Sequence, residues 1–125
     1  MDEAELKRRT KLFGLRVFKL VDALPKNLQG RALGNQLVRS GTSVGANYRA
    51  ACRARSKAEF ISRLGVVEEE ADESAYWMEM IIEAELIKES LVRPLLNEAN
   101  EIVATKTRSR ITAASRPIKI QKSKI

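Results

Sequence analysis

The chain has 125 residues, 44% of them apolar and 31% charged, a length and balance that describe one globular domain and exclude two domains, a disordered chain or a membrane-embedded one. No apolar run approaches the roughly 20 residues of a spanning helix. The opening MDEAELKRRT lacks the apolar stretch of a signal peptide, and the single Cys52 excludes an internal disulfide, so a reducing, cytoplasmic setting is expected. The net charge of +7 equals the seven basic residues from Lys106 onward, where no acidic residue occurs, so the preceding sequence is neutral as a whole.

Four helical segments follow from the spacing of apolar residues. The first spans about Asp2 to Ala23, with Leu6, Phe13, Val17, Leu20 and Leu24 on one face. Pro25 ends it, because the residue before a proline is pushed out of helical geometry. The second starts at an Asn27 cap and runs to about Ala54, with Leu33, Leu37, Val44, Tyr48 and Ala51 inward. A kink is expected at Gly41-Thr42-Ser43, although the apolar phase continues across it. Ser56 and Glu59 have capping-box spacing and open a third helix that runs to about Ile87, with Phe60, Leu64, Val67, Ala71, Ala75, Met78 and Ile82 as its core stripe. A fourth helix can be capped by Ser90, carries Pro94 within its first turn or so and buries Leu95, Ala99, Ile102 and Val103. Its pattern fades beyond about Ser109. The prediction is an all-α, antiparallel up-and-down four-helix bundle over 1–113, followed by a basic, disordered C-terminal tail over 114–125.

The faces of the helices carry the functional information. On the second helix, Arg31, Asn35, Arg39, Thr42, Ala46, Arg49 and Arg53 fall opposite the core stripe, and no acidic residue occurs between Asp22 and Glu59. A solvated face normally mixes signs. The third helix is the converse, with Glu68, Asp72, Glu79 and Glu83 along one flank and Val66, Trp77 and Ile81 widening its apolar arc. Such a wide arc suits a subunit interface where basic and acidic faces meet, and Trp is enriched in interfaces; Trp77 equally suits the bundle core. Asn47 lies between core and basic face, where a bond to a neighbouring helix or to the Gly41 region is the expected use of a partly buried amide.

Catalytic chemistry finds no footing. The chain has no His, so the commonest general base and metal ligand is missing, and the one cysteine has no imidazole partner. GTSVG lacks the spacing and the lysine of a phosphate loop. Di-metal bundles need Glu-x-x-His pairs that are absent, and Glu68-Glu69-Glu70 spreads over three faces of its helix. No catalytic residue, metal site or cofactor is expected.

The segment from Leu37 to Ile81 resembles the bacterial four-helix bundle family of 23S ribosomal RNA intervening-sequence proteins. Arg39, Ser43, Val44, Ala46 and Asn47 match the first part of its pattern, and Phe60, Gly65, Glu68, Glu69, Ala71 and Glu73 the second. Leu24-Pro25 followed by Leu33, Gln36 and Leu37 also fits, and the resemblance covers about Leu12–Ala104. It implies an antiparallel bundle assembled as a ring-shaped homopentamer, with no established reaction and no functional residues to transfer. The chain is also similar to the accessory variability determinant of diversity-generating retroelements, a pentameric bundle that binds nucleic acid and a reverse transcriptase.

The leading expectation is therefore a non-enzymatic homo-oligomer, a pentamer on the resemblance, that binds nucleic acid, RNA above all, electrostatically. The contacts would be Arg31, Arg39, Arg49 and Arg53 on the second helix, and Lys106, Arg108, Arg110, Arg116, Lys119, Lys122 and Lys124 toward the C-terminus. Val66, Glu68, Asp72, Trp77, Glu79, Ile81 and Glu83 would form the subunit interface. The alternative is an assembly or adaptor protein that binds another protein, such as a reverse transcriptase, its Arg stripe consumed by the acidic flank of a neighbouring subunit.

Overall fold

The computed structural model describes residues 2–115. Four helices, α1 (Glu3–Asp22), α2 (Leu28–Cys52), α3 (Lys57–Glu83) and α4 (Glu89–Ser115), are joined by short turns that reverse the chain each time, and among the described residues there is no strand. α2 packs on α1 and α3, α3 on α4, and α4 closes more lightly onto α1. The result is an antiparallel four-helix bundle. None of its described helices is long and apolar enough to cross a membrane.

Each of the first three helices starts on a side chain that accepts an otherwise orphaned amide. Asp2 accepts from the Glu5 N–H at 2.8 Å, Asn27 from Gly30 at 2.9 Å and Ser56 from Glu59 at 3.1 Å. Glu59 returns the favour to the N–H of Arg55 rather than Ser56. Between the helices, Phe13 and Val17 of α1, Leu37 and Val44 of α2, Leu64, Val67 and Met78 of α3, and Val92 and Ile102 of α4 are wholly buried.

Four features differ from the sequence-based expectation. α2 passes through Gly41-Thr42-Ser43 without a break. Thr42 and Ser43 donate to the carbonyls of Val38 and Arg39, each at 2.7 Å, which satisfies their hydroxyls within the helix. The glycines there serve packing: a Cβ on Gly41 would meet Val17 Cγ2 at 2.7 Å, and one on Gly45 the Thr10 carbonyl oxygen at 3.2 Å. α3 ends at Glu83, before Ile87. Glu85 adopts a left-handed φ of 55°, and the N–H groups of Leu86 and Glu85 return to the carbonyls of Ile81 and Ile82, a Schellman ending without its usual glycine. α4 already begins at Glu89, so Ser90 sits inside the first turn and is not the cap, and Pro94 falls in the second turn. The same helix continues past Ser109 to Ser115, held by buried Lys106 and Ala113.

Candidate nucleic-acid interface

Antiparallel packing places the second half of α2 beside the first half of α1. Gly14 lies against the Gly41 carbonyl and Thr42, and Gly45 against the backbone of Thr10 and Lys11. Small residues on both helices bring the backbones together and leave a groove of about 550 Å³ along the outside of the seam. Its floor contains Gly14, Leu15, Phe18, Thr42, Gly45 and Ala46; its rim is Lys7, Arg8, Lys11, Arg49 and Arg53. No acidic side chain lines it. Beyond Arg49 and Arg53 the basic surface continues onto Arg55 and Arg63 at the start of α3, with Glu59 the one carboxylate among them.

The predicted Arg stripe on α2 thus divides into two parts. Arg39 is taken up within the chain, paired with Glu73 and, at 3.4 Å, with Glu70 of α3. Arg31 donates to the Lys26 carbonyl at 3.1 Å across the α1–α2 turn. Arg49 and Arg53 stay exposed on the groove, with no hydrogen bond or ion pair to another side chain among the described residues. Sequence reasoning missed the other half of the site: Arg8 and Lys11 look balanced by Asp2, Glu3 and Glu5 along the chain, and only the fold brings them beside Arg49 and Arg53, while Lys7 is paired with Glu3 at 3.3 Å.

The C-terminal contacts also divide. Lys106 is removed from the phosphate-binding set, since it is 1% exposed and its ammonium lies 3.4 Å from the centre of the Tyr48 ring, without a hydrogen-bond partner. Burial, with a smaller contribution from nearby Arg9, pulls its pKa down to about 8. The same burial raises the Tyr48 hydroxyl and the half-buried Cys52 thiol above their ordinary values. Arg110 is bound to Glu68, and its hydrogen bond to that carboxylate raises its pKa further. Arg108 remains exposed, 3.4 Å from the Thr105 hydroxyl. Arg116, Lys119, Lys122 and Lys124 lie outside the described residues.

The predicted interface residues scatter in the same way. Ile81 is corrected to core: it is wholly buried inside its own bundle and offers nothing to a neighbour. Ile82, assigned to the core stripe, is only partly buried. Glu68 is engaged by Arg110, and Trp77 donates from Nε1 to Glu73 at 3.1 Å, half-buried beside Tyr76. Val66 is half-buried, while Asp72, Glu79 and Glu83 are exposed. Asn47 donates to the Ser43 carbonyl at 2.9 Å and accepts from Arg63 at 3.5 Å, tying α2 to α3. Among the described residues, no group of three His, Cys, Asp or Glu could hold a metal ion.

Comparison with known proteins bears on the whole bundle. A crystal structure from Bacteroides thetaiotaomicron VPI-5482, described as a protein with unknown function from the S23 ribosomal protein family, is 32% identical to this chain. The match covers 88% of this chain and 98% of that one, with a TM-score of 0.81. No curated protein matches. The model of the family described as 23S rRNA-intervening sequence protein matches residues 2–107, from α1 well into α4, and the chain belongs to that family.

Proposed function

We propose that the protein is a non-enzymatic homo-oligomer that binds nucleic acid, RNA in particular, through electrostatic contacts at one end of the bundle. The observation that carries this reading is the predominantly basic surface where α1, α2 and α3 meet: Arg8, Lys11, Arg49 and Arg53 around the groove, then Arg55 and Arg63, with Glu59 the one carboxylate among them. Clustered guanidinium groups without carboxylate partners are suited to phosphate, which they engage in a fork geometry. α4 runs toward the same side of the molecule and carries Arg108 there. Phe18 is the single aromatic residue of the groove, which argues for backbone contacts and weak sequence preference over base stacking. In a homo-oligomer, a pentameric ring on the family resemblance, the basic ends would act together as one polyvalent surface. A cytoplasmic location goes with this role.

The test is binding to a structured RNA by fluorescence anisotropy across a salt series. The expected log–log slope is about −0.7 to −0.9 per phosphate contact, and the double variant Arg53→Glu/Arg55→Glu should weaken binding at least about tenfold while flattening that slope by about two contacts. Absence of binding at low salt, or affinity independent of salt, overturns the reading. The adaptor reading draws on a different observation: Leu15 and Phe18 give the groove an apolar floor that phosphate does not need.

A further inference from the structure

Two surfaces are left over once intramolecular pairs are assigned. On α3, the carboxylates sort by direction. Glu68 is held by Arg110, and Glu70 and Glu73 by Arg39. Glu69, Asp72, Glu79 and Glu83 are exposed and make no ion pair among the described residues. With Tyr76 and Met80 they recur at spacings of three and four and so form one outward stripe. Tyr76 is 52% exposed and Met80 38%, two large side chains framed by four free acids.

The second surface is the α1–α2 groove, its rim entirely basic. Leu15 and Phe18 in its floor are 53% and 45% exposed. The groove and the stripe are complementary in both respects, apolar centre to apolar centre and basic rim to acidic flank. They cannot meet within one chain, because α3 packs on α2 and α4 with the stripe turned outward.

We propose that the α1–α2 groove seats the outer face of α3, residues 69–83, from a second copy of this chain. Tyr76 and Met80 cover Leu15 and Phe18, and the carboxylates of the stripe meet Arg8, Lys11 and Arg49. Complementary charge of this kind sets the register and the choice of partner. The contact joins two different surfaces, so it is heterologous: each copy uses its groove for one neighbour and its stripe for another, which builds a ring if the rotation closes and a filament if it does not. Arg53, Arg55 and Arg63, at the end of the groove, stay outside the contact, and in the assembled protein they take the phosphate contacts in place of Arg8, Lys11 and Arg49. The inference rests on the homo-oligomer half of the proposed function and supplies its surfaces.

A charge-swap experiment tests it, with mass read by light scattering after gel filtration and folding checked by circular dichroism. Variant one carries Arg8→Glu and Lys11→Glu in the groove; variant two carries Asp72→Lys and Glu79→Lys on the stripe. All four positions are exposed, so each variant should keep the helical signal of the native chain. Each alone sets like charge against like and should assemble at least about 100-fold more weakly than the native protein. Mixed in equal amounts, they restore complementary contacts between unlike variants and should reassemble into alternating chains or even-numbered rings, since a ring of odd number would keep one mismatched contact. Native protein that is monomeric, a variant that keeps the native mass, or a mixture that stays monomeric overturns the proposal. Native protein that assembles without binding RNA leaves this inference standing and sinks only the nucleic-acid reading.

Discussion

α2 is joined to its two neighbours in different ways. Toward α1 the seam is closed by absence: Gly41 and Gly45, four residues apart, face Val17 and the backbone at Thr10, so the helices touch almost without side chains. Toward α3 the seam is made of matched polar groups, with Arg39 on Glu70 and Glu73, the Ser40 and Ser74 hydroxyls 2.9 Å apart in the core, and Asn47 on Arg63. Charge follows the same division. Where α2 meets α3, its arginine is neutralised inside the chain; where it meets α1, Arg49 and Arg53 find no carboxylate and stay available. A glycine seam is intolerant of added volume, whereas a polar seam is sensitive to lost partners.

The largest expected effect breaks the α1 seam. Gly41→Leu places a Cβ within 2.7 Å of Val17 Cγ2 and further atoms beyond it, with packed helices on both sides. Leucine is the better helix former by somewhat under 1 kcal/mol, yet overpacking should dominate and cost about 3 kcal/mol net. Ala46→Leu is the control, since Ala46 is exposed in the groove and the added side chain has open space. Its expected cost is within about 0.5 kcal/mol of zero. Urea midpoints of the two variants decide whether the glycines are there for close approach.

A second test concerns the end of that seam, which α4 covers with Lys106 over Tyr48. A buried ammonium without a hydrogen bond costs stability that attraction to the ring offsets only in part. Lys106→Met keeps a flexible chain of similar length and should stabilise the bundle by about 1 kcal/mol at neutral pH. The sign follows from linkage. The folded-state pKa is lowered from 10.5 to about 8, so between those values the unfolded chain binds more protons than the folded one and stability rises with pH. Below pH 8 the cost is fully present. Denaturation of the native protein should therefore show a rising midpoint from pH 8 toward 10 that disappears in the Lys106→Met protein; an equal slope in both would refute a buried charged amine.

How much of this was legible in the sequence depends on whether the cause was local. Helix number, the Asn27 and Ser56 caps and most core positions rest on spacing within one segment, and they were readable. The purpose of Gly41 was not, because a glycine required by a helix ten or more residues' length of chain away looks the same as one that breaks its own helix. The end of α3 was hidden for a related reason: Glu85 takes the left-handed position that glycine normally marks. Lys106 did carry a signal, four residues after Ile102 and seven before Ala113 on the buried stripe of α4, but its charge argued for the surface and prevailed. The candidate site was half visible. Arg49 and Arg53 stand out in a segment without acids, whereas Lys7, Arg8 and Lys11 join them only through the fold.

The smallest expected effect sharpens the α3 side of the comparison. Ser74 Oγ lies 2.9 Å from both Ser40 Oγ and the Glu70 carbonyl, whereas Ser40 Oγ has, besides Ser74, only a long 3.4 Å contact to the Leu37 carbonyl. Losing Ser74 therefore leaves a fully buried hydroxyl poorly satisfied, while losing Ser40 leaves Ser74 with a good partner. Ser74→Ala should cost about 1 kcal/mol and Ser40→Ala about half as much. The double variant removes the orphan along with its partner and should cost less than the sum by about 0.5 kcal/mol. Equal and additive single effects in a double-mutant cycle would mean that the two hydroxyls are neighbours without being partners. In that case the α2–α3 seam would rest on Arg39 and Asn47 at its surface, and its core would be held, like the α1 seam, by packing alone.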